Sequence, residues 1–74
     1  MTQDDAVARW VEADASECLA EVASRMRFND VSVILVRDAR GVVGSLSERD
    51  MTRAIADGVD PLTTPAGDYA TPVD

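Results

Sequence analysis

Gly44-Ser45-Leu46-Ser47-Glu48-Arg49-Asp50 is the stretch on which the fold turns. It joins the end of an apolar run, Val42-Val43, to a helical pattern that opens at Glu48. Ser47 stands where a helix N-cap belongs, and Asp50 follows three residues later. A hydroxyl at that place accepts from the free N–H groups of the first turn, and the acid reaches back to the cap residue. The pair therefore marks a strand running directly into a helix. Capping alone is the plainer reading of a Ser/Thr-x-x-Asp/Glu match. The same groups also suit a second task. A carboxylate and a hydroxyl at a strand's end can accept from and donate to a ribose diol, while N–H groups and arginines beside them face phosphate.

The pattern extends outward on both sides. Downstream, Met51, Ala54 and Ile55 mark the buried stripe of a helix over about Glu48–Ala56, and Gly58 supplies its stop. After Asp60-Pro61 the chain becomes a Pro/Thr/Gly segment without period. Upstream, Val31-Ser32-Val33-Ile34-Leu35-Val36 is rich in β-branched residues and nearly all apolar, as a strand buried on both faces is. Asp38-Ala39-Arg40-Gly41 reads as a turn, with Gly41 free to take positive φ, and Val42–Leu46 as the returning hairpin strand. Before these, Leu19, Val22, Ala23 and Met26 form one stripe of a helix over about Glu17–Arg27, with Ser16 as N-cap. Glu21 and Arg25 are spaced for an ion pair on its wet side. Val11, Ala13 and Ala15 alternate on one face of a short first strand.

The predicted order is strand, helix, strand, strand, helix, tail: an α+β fold with a three-stranded sheet and two helices on one face. Residues 1–10 read as a flexible lead, 11–60 as the folded unit and 61–74 as a tail.

Seventy-four residues build at most one small domain with a marginal core. One cysteine, Cys18, and no histidine exclude an intrachain disulfide and a structural zinc site. Association is then the expected source of further burial. A net charge of −7 argues against nucleic acid as partner, since phosphates need a basic face. All seven cations are arginines. No stretch has the length of a membrane span, and no signal peptide opens the chain, so a soluble cytoplasmic protein is expected. No Cys/His pair, metal cluster or base beside Ser47 offers a nucleophilic site, which argues against an enzyme. Met26 and Cys18 read as core fillers, and Trp10 as an anchor, either at an interface or on the domain's own edge.

Leu19-Ala20-Glu21-Val22-Ala23, then Met26, Val31–Val36, Gly44 through Asp50, Arg53-Ala54 and Gly58-Val59-Asp60-Pro61 together resemble one repeat of the cystathionine β-synthase (CBS) domain family. The resemblance implies the β-α-β-β-α order read above, and pairing of two repeats through their sheets with nucleotide clefts between them. It implies a regulatory role in signal transduction, with AMP, ADP, ATP or S-adenosylmethionine as ligand and no catalytic cofactor. Carried over residue by residue, the family's Gly-x-x-Thr/Ser-x-x-Asp element falls on Gly44, Ser47 and Asp50. Asp50 would accept from the ribose, Ser47 would bond a ribose or phosphate oxygen, and Arg49 and Arg53 would pair with phosphate. Adenine would lie near Val11 or Ala13 and Ile34 or Leu35. The sequence departs from the pattern in Leu35, where proline is frequent, in Ser47, where threonine is commoner, and in Ser16-Glu17-Cys18. Ala66 to Val73 resembles the lead-in to a second repeat. The implied partners are therefore an adenosine-type small molecule and either a second copy or a second repeat. A dimerisation module without a small ligand is the alternative.

Overall fold

The computed structural model describes residues 11–72. The expected lead of residues 1–10, with Trp10, and residues 73–74 lie outside the described residues. Strand β1 spans Glu12–Asp14, helix α1 Leu19–Asn29, strand β2 Val33–Asp38, strand β3 Gly41–Ser47 and helix α2 Glu48–Asp57. A single 3-10 turn over Ala66–Asp68 leads to strand β4, Thr71–Pro72. The fold is α+β, with two helices and one mixed sheet.

The sheet order is β1-β2-β3-β4. β1 runs parallel to β2, with Ala13 opposite Val36, so α1 serves as the crossover between them. β2 and β3 form the hairpin, with Ile34 opposite Leu46 and Val36 opposite Gly44. A register shift after Val36 brings Arg37 opposite Val42. Gly41 at φ 122° turns the hairpin, and Gly58 at φ 82° ends α2, both in backbone regions that side chains disfavour.

The sheet has four strands, not the three expected. β4 lies in the segment read as a tail without period. Two residues are too few to show alternation, and its pairing with β3 at Gly44 and Ser45 is a long-range contact. The loop before it is held as firmly. The N–H groups of Leu19 and Ala20 donate to the carbonyls of Thr64 at 3.0 Å and Pro61 at 2.9 Å. These bonds satisfy first-turn donors of α1, a task the sequence reading gave to Ser16. The N-cap is Cys18, with no side-chain bond, while Ser16 turns back and its N–H donates to Asp14 at 3.0 Å.

Period two decides which face of the sheet is covered. Ala13, Ile34, Val36 and Leu46 point beneath the helices and meet Leu19, Val22, Met26, Ala54 and Ala66 in the core. Leu19, Ile34, Leu46, Val22 and Val36 are fully buried, each worth about 1.5–3 kcal/mol of transfer free energy. β2 is not buried on both faces: Val33 is 38% exposed and Leu35 half-buried on the side that no helix among the described residues covers. Ile55, expected in the α2 stripe, is 62% exposed. With Ala23, Met51 and Pro61 it lines an open apolar groove of about 430 Å³ between the helices. Arg25 forks onto Glu17, Nη1 reaching Oε1 at 2.8 Å, rather than onto Glu21. The turn at Ser16, closed by the Glu17 N–H donating to the Asp14 carbonyl at 3.0 Å, brings Glu17 within reach of Arg25.

Candidate functional site

The junction of β3 and α2 is built as the sequence predicts. Ser47 has extended backbone, φ −109° and ψ 171°, and caps α2. The Asp50 N–H donates to Ser47 Oγ at 3.2 Å, and the Ser47 N–H donates to Asp50 Oδ2 at 2.9 Å. The Ser47 hydroxyl also donates to Oδ2, at 3.0 Å. The capping box is complete. The strand delivers its last residue in the extended state a cap requires, and the acid at the third helical position sits in the positive field of the helix terminus.

Asp50 does more than cap. It is only 7% exposed, and a buried carboxylate needs donors around it. Arg53, one turn on, donates from Nη2 to Asp50 Oδ1 at 3.2 Å. The same nitrogen donates to the Tyr69 carbonyl at 3.0 Å. The guanidinium carbon stands 5.2 Å from the centroid of the Tyr69 ring, within cation–π range. The Tyr69 hydroxyl donates to Asp57 Oδ2 at 2.7 Å. That bond to a carboxylate raises the Tyr69 hydroxyl above its ordinary value of 10.0. The Thr71 hydroxyl makes long contacts of 3.4 and 3.5 Å with the two Asp50 oxygens.

A carboxylate offers about four acceptor directions. On Asp50, Ser47 takes two with its N–H and hydroxyl and Arg53 takes one. The direction that remains is met only by Thr71, at distances too long for a strong bond. An incoming hydroxyl would compete with Thr71 there, not with the cap.

The other sequence-predicted residues fall into two sets. Val11 and Leu35 are half-buried and joined, the Leu35 N–H donating to the Val11 carbonyl at 3.0 Å. Ala13 and Ile34 are 3% and 1% exposed and belong to the core under the helices. Of each alternative for the adenine wall, the accessible member is therefore Val11 and Leu35. Gly44 is buried beneath β4. Arg49 is exposed and makes no ion pair among the described residues. Sequence reasoning missed Tyr69 and Thr71. Their approach to α2 depends on the path of the loop from 58 to 70, which has no periodicity to read.

Among the described residues no group of three or more His, Cys, Asp or Glu side chains could hold a metal ion. No helix among them is long and apolar enough to cross a membrane.

No family model matches the chain. No curated protein matches it. Solved structures do. A CBS-domain-containing protein of Agrobacterium tumefaciens superposes with a TM-score of 0.80 at 25% identity, covering 88% of this chain and 50% of that one. A CBS domain protein of Pyrobaculum aerophilum, solved in complex with AMP, gives 0.77 at 28% identity, covering 92% and 54%. Hypoxic Response Protein I, solved with two coordinated zinc ions, gives 0.73 at 30% identity, covering 84% and 52%. The chain spans about half the length of these structures.

Proposed function

We propose, on the premise that this chain is a CBS domain amounting to about one repeat, that it is half of a paired regulatory module. The ligand is an adenosine compound, AMP, ADP, ATP or S-adenosylmethionine, held in a cleft that forms when two repeats face one another. Binding changes the packing of the pair and is passed to a partner domain or protein. In this reading the module binds and transmits, and catalysis belongs elsewhere.

One observation carries the reading: Asp50 is a buried carboxylate with one acceptor direction held only by the long contacts of Thr71, at a helix N-terminus flanked by arginines. Asp50 accepts from the ribose where Thr71 now makes its long contacts, and Ser47 bonds a neighbouring ribose or phosphate oxygen. Val11 and Leu35 present the accessible apolar wall for the base, and Arg49 offers an uncommitted cation to phosphate. The similarity to an AMP complex of the same fold supports the choice of ligand class. Pairing falls to the uncovered face of the sheet, where Val33 and Leu35 stand accessible beside Ser45 and Ser47.

A second reading is favoured by a specific observation. The capping box at Ser47 and Asp50 is complete without a ligand, and β4 covers Gly44. A dimerisation module with no small ligand would need nothing more of these residues. Thermal unfolding with adenosine, AMP, ATP and S-adenosylmethionine separates the two. A ligand at a hundredfold excess over its Kd adds about 2.7 kcal/mol of stability. A chain whose melting no adenosine compound moves is the structural module.

A further inference from the structure

We infer that Arg53 is the positioning residue of the candidate site: it fixes Asp50 and the Tyr69–Thr71 segment in register with each other, and leaves the ligand's phosphate to Arg49. The inference rests on the adenosine-ligand reading above and takes Arg53 from the phosphate role that the family resemblance implied for it.

Arg53 lies between two acceptors from different parts of the chain. One is Asp50 Oδ1 at 3.2 Å, on its own helix, and the other is the Tyr69 carbonyl at 3.0 Å. The Tyr69 ring lies against the guanidinium, 5.2 Å from ring centroid to its carbon. The ring is tied at its far end by the hydroxyl bond to Asp57 at 2.7 Å. Asp50, Arg53 and Asp57 recur at helical spacing on one face of α2, and Tyr69 lies along that face. The guanidinium is thus pinned by a salt bridge, a backbone carbonyl and an aromatic ring.

Charge points the same way. The Arg53 cation is already matched by Asp50, so a phosphate brought to it must share it with a carboxylate. Arg49 carries no such pairing among the described residues and precedes Asp50 in the first turn of α2, beside the helix's free N–H groups. What Arg53 does control is the direction of Asp50 Oδ1, and through the Tyr69 carbonyl the distance of Thr71 from the same carboxylate. A ribose diol reads both. Arg53 keeps other N–H groups toward solvent at 54% side-chain exposure, so the experiment must distinguish phosphate contact from positioning.

The probes are adenosine, which has no phosphate, and AMP, titrated calorimetrically into the full chain. Arg53→Met is expected to weaken both about equally, by roughly tenfold. Arg53→Lys, which keeps a cation able to donate to both acceptors, is expected to restore most of the loss. In an Asp50→Asn background Arg53→Met is expected to cost little more, because its effect passes through that carboxylate. Arg49→Met is expected to weaken AMP and leave adenosine unchanged. Loss of AMP alone in Arg53→Met assigns that side chain to phosphate and overturns the inference. So does a lowered melting temperature with both affinities intact, which leaves Arg53 a merely structural role. A wild-type chain that binds neither probe is a different failure: it removes the functional reading itself, and the positioning role with it.

Discussion

The carbonyl oxygen of Thr71 lies 2.5 Å from the point where a side-chain carbon on Gly44 would stand. No real contact between such atoms is that short, so β4 can lie on β3 only because position 44 has no side chain. Gly44, read from sequence as part of a ligand-binding motif, has here a complete structural reason of its own. The prediction is that Gly44→Ala lifts Thr71–Pro72 from the sheet. Overpacking of this kind costs about 1–3 kcal/mol, measurable by chemical denaturation. Amide exchange at Ser45 should rise with it. A variant as stable as the parent, with Ser45 still protected, would mean that the strand moves aside at no cost.

Asp50→Asn tests cap and ligand together. The amide keeps the shape and deletes the charge that receives Ser47 and Arg53. Stability is expected to fall by about 0.5–2 kcal/mol, the usual worth of a cap. Adenosine affinity is expected to fall about ten- to hundredfold, as charge-assisted bonds to the ribose are lost. Stability and binding must be measured on the same samples. Unchanged binding by a destabilised variant would place the cleft elsewhere.

The capping box was legible in the sequence because its parts are local. Ser47 and Asp50 are three residues apart, and their bonds follow from that spacing alone. Both helices follow from a period of 3.6, and the hairpin from its apolar strands and the turn at Gly41; the covered face of β2 does not, because Val31–Val36 is nearly all apolar and shows no period of two. What could not be read depends on contacts between distant segments. Thr64 and Pro61 cap α1, Tyr69 clasps Arg53, and Thr71 pairs with Ser45, all through the backbone path of an aperiodic loop. Ile55 illustrates a different limit. Its spacing with Met51 correctly marks an apolar face, but α1 packs close enough to bury only Ala54 of the three.

The pair formed by Glu17 and Arg25 sets an acid limit on stability. The Arg25 guanidinium holds the Glu17 carboxyl below its ordinary value of 4.5. A carboxyl lowered on folding contributes stability that is present in full above the unfolded value. That contribution is lost as pH falls below 4.5 and through the folded value. The wild-type chain should therefore lose stability over that window, and Glu17→Gln should lose less. Asp14, lowered by its bond from the Ser16 hydroxyl, still titrates in the variant, so the slope should shrink rather than vanish. Identical slopes in urea melts at successive pH values would remove Glu17 from the account.

Tyr69 gives an independent reading of the clasp, since it is the single tyrosine of the chain. Its hydroxyl, bonded to Asp57, is raised above 10.0. Folding thus favours the protonated form, and the contribution to stability is lost as pH rises through the folded value. The tyrosinate absorbance should appear above pH 10.0 in the wild type and closer to that value in Asp57→Ala. Coincident titrations would show that the hydroxyl is free in solution.

The sheet face left uncovered among the described residues carries the prediction about assembly. Leu35 points away from the core cluster yet stands at the centre of β2, between Glu12 on β1 and Ser45 on β3. Val33, beside it on the same strand face, is 38% exposed. A core this small gains most from covering such a surface. The expected species at micromolar concentration is a two-fold dimer joined through this face, since self-complementary pairing is the commonest route to closed assemblies. Leu35→Glu would place a charge on each side of the two-fold axis and should shift sedimentation to the monomer. The backbone bond of Leu35 to the Val11 carbonyl does not involve its side chain, so the variant should keep its circular dichroism. A Leu35→Glu chain that remains a dimer shows that association uses another surface, for which the groove beside Ile55 is the next candidate. A wild-type chain that sediments as a cooperatively folded monomer counts heavily against the homodimer and leaves the pairing to a second repeat.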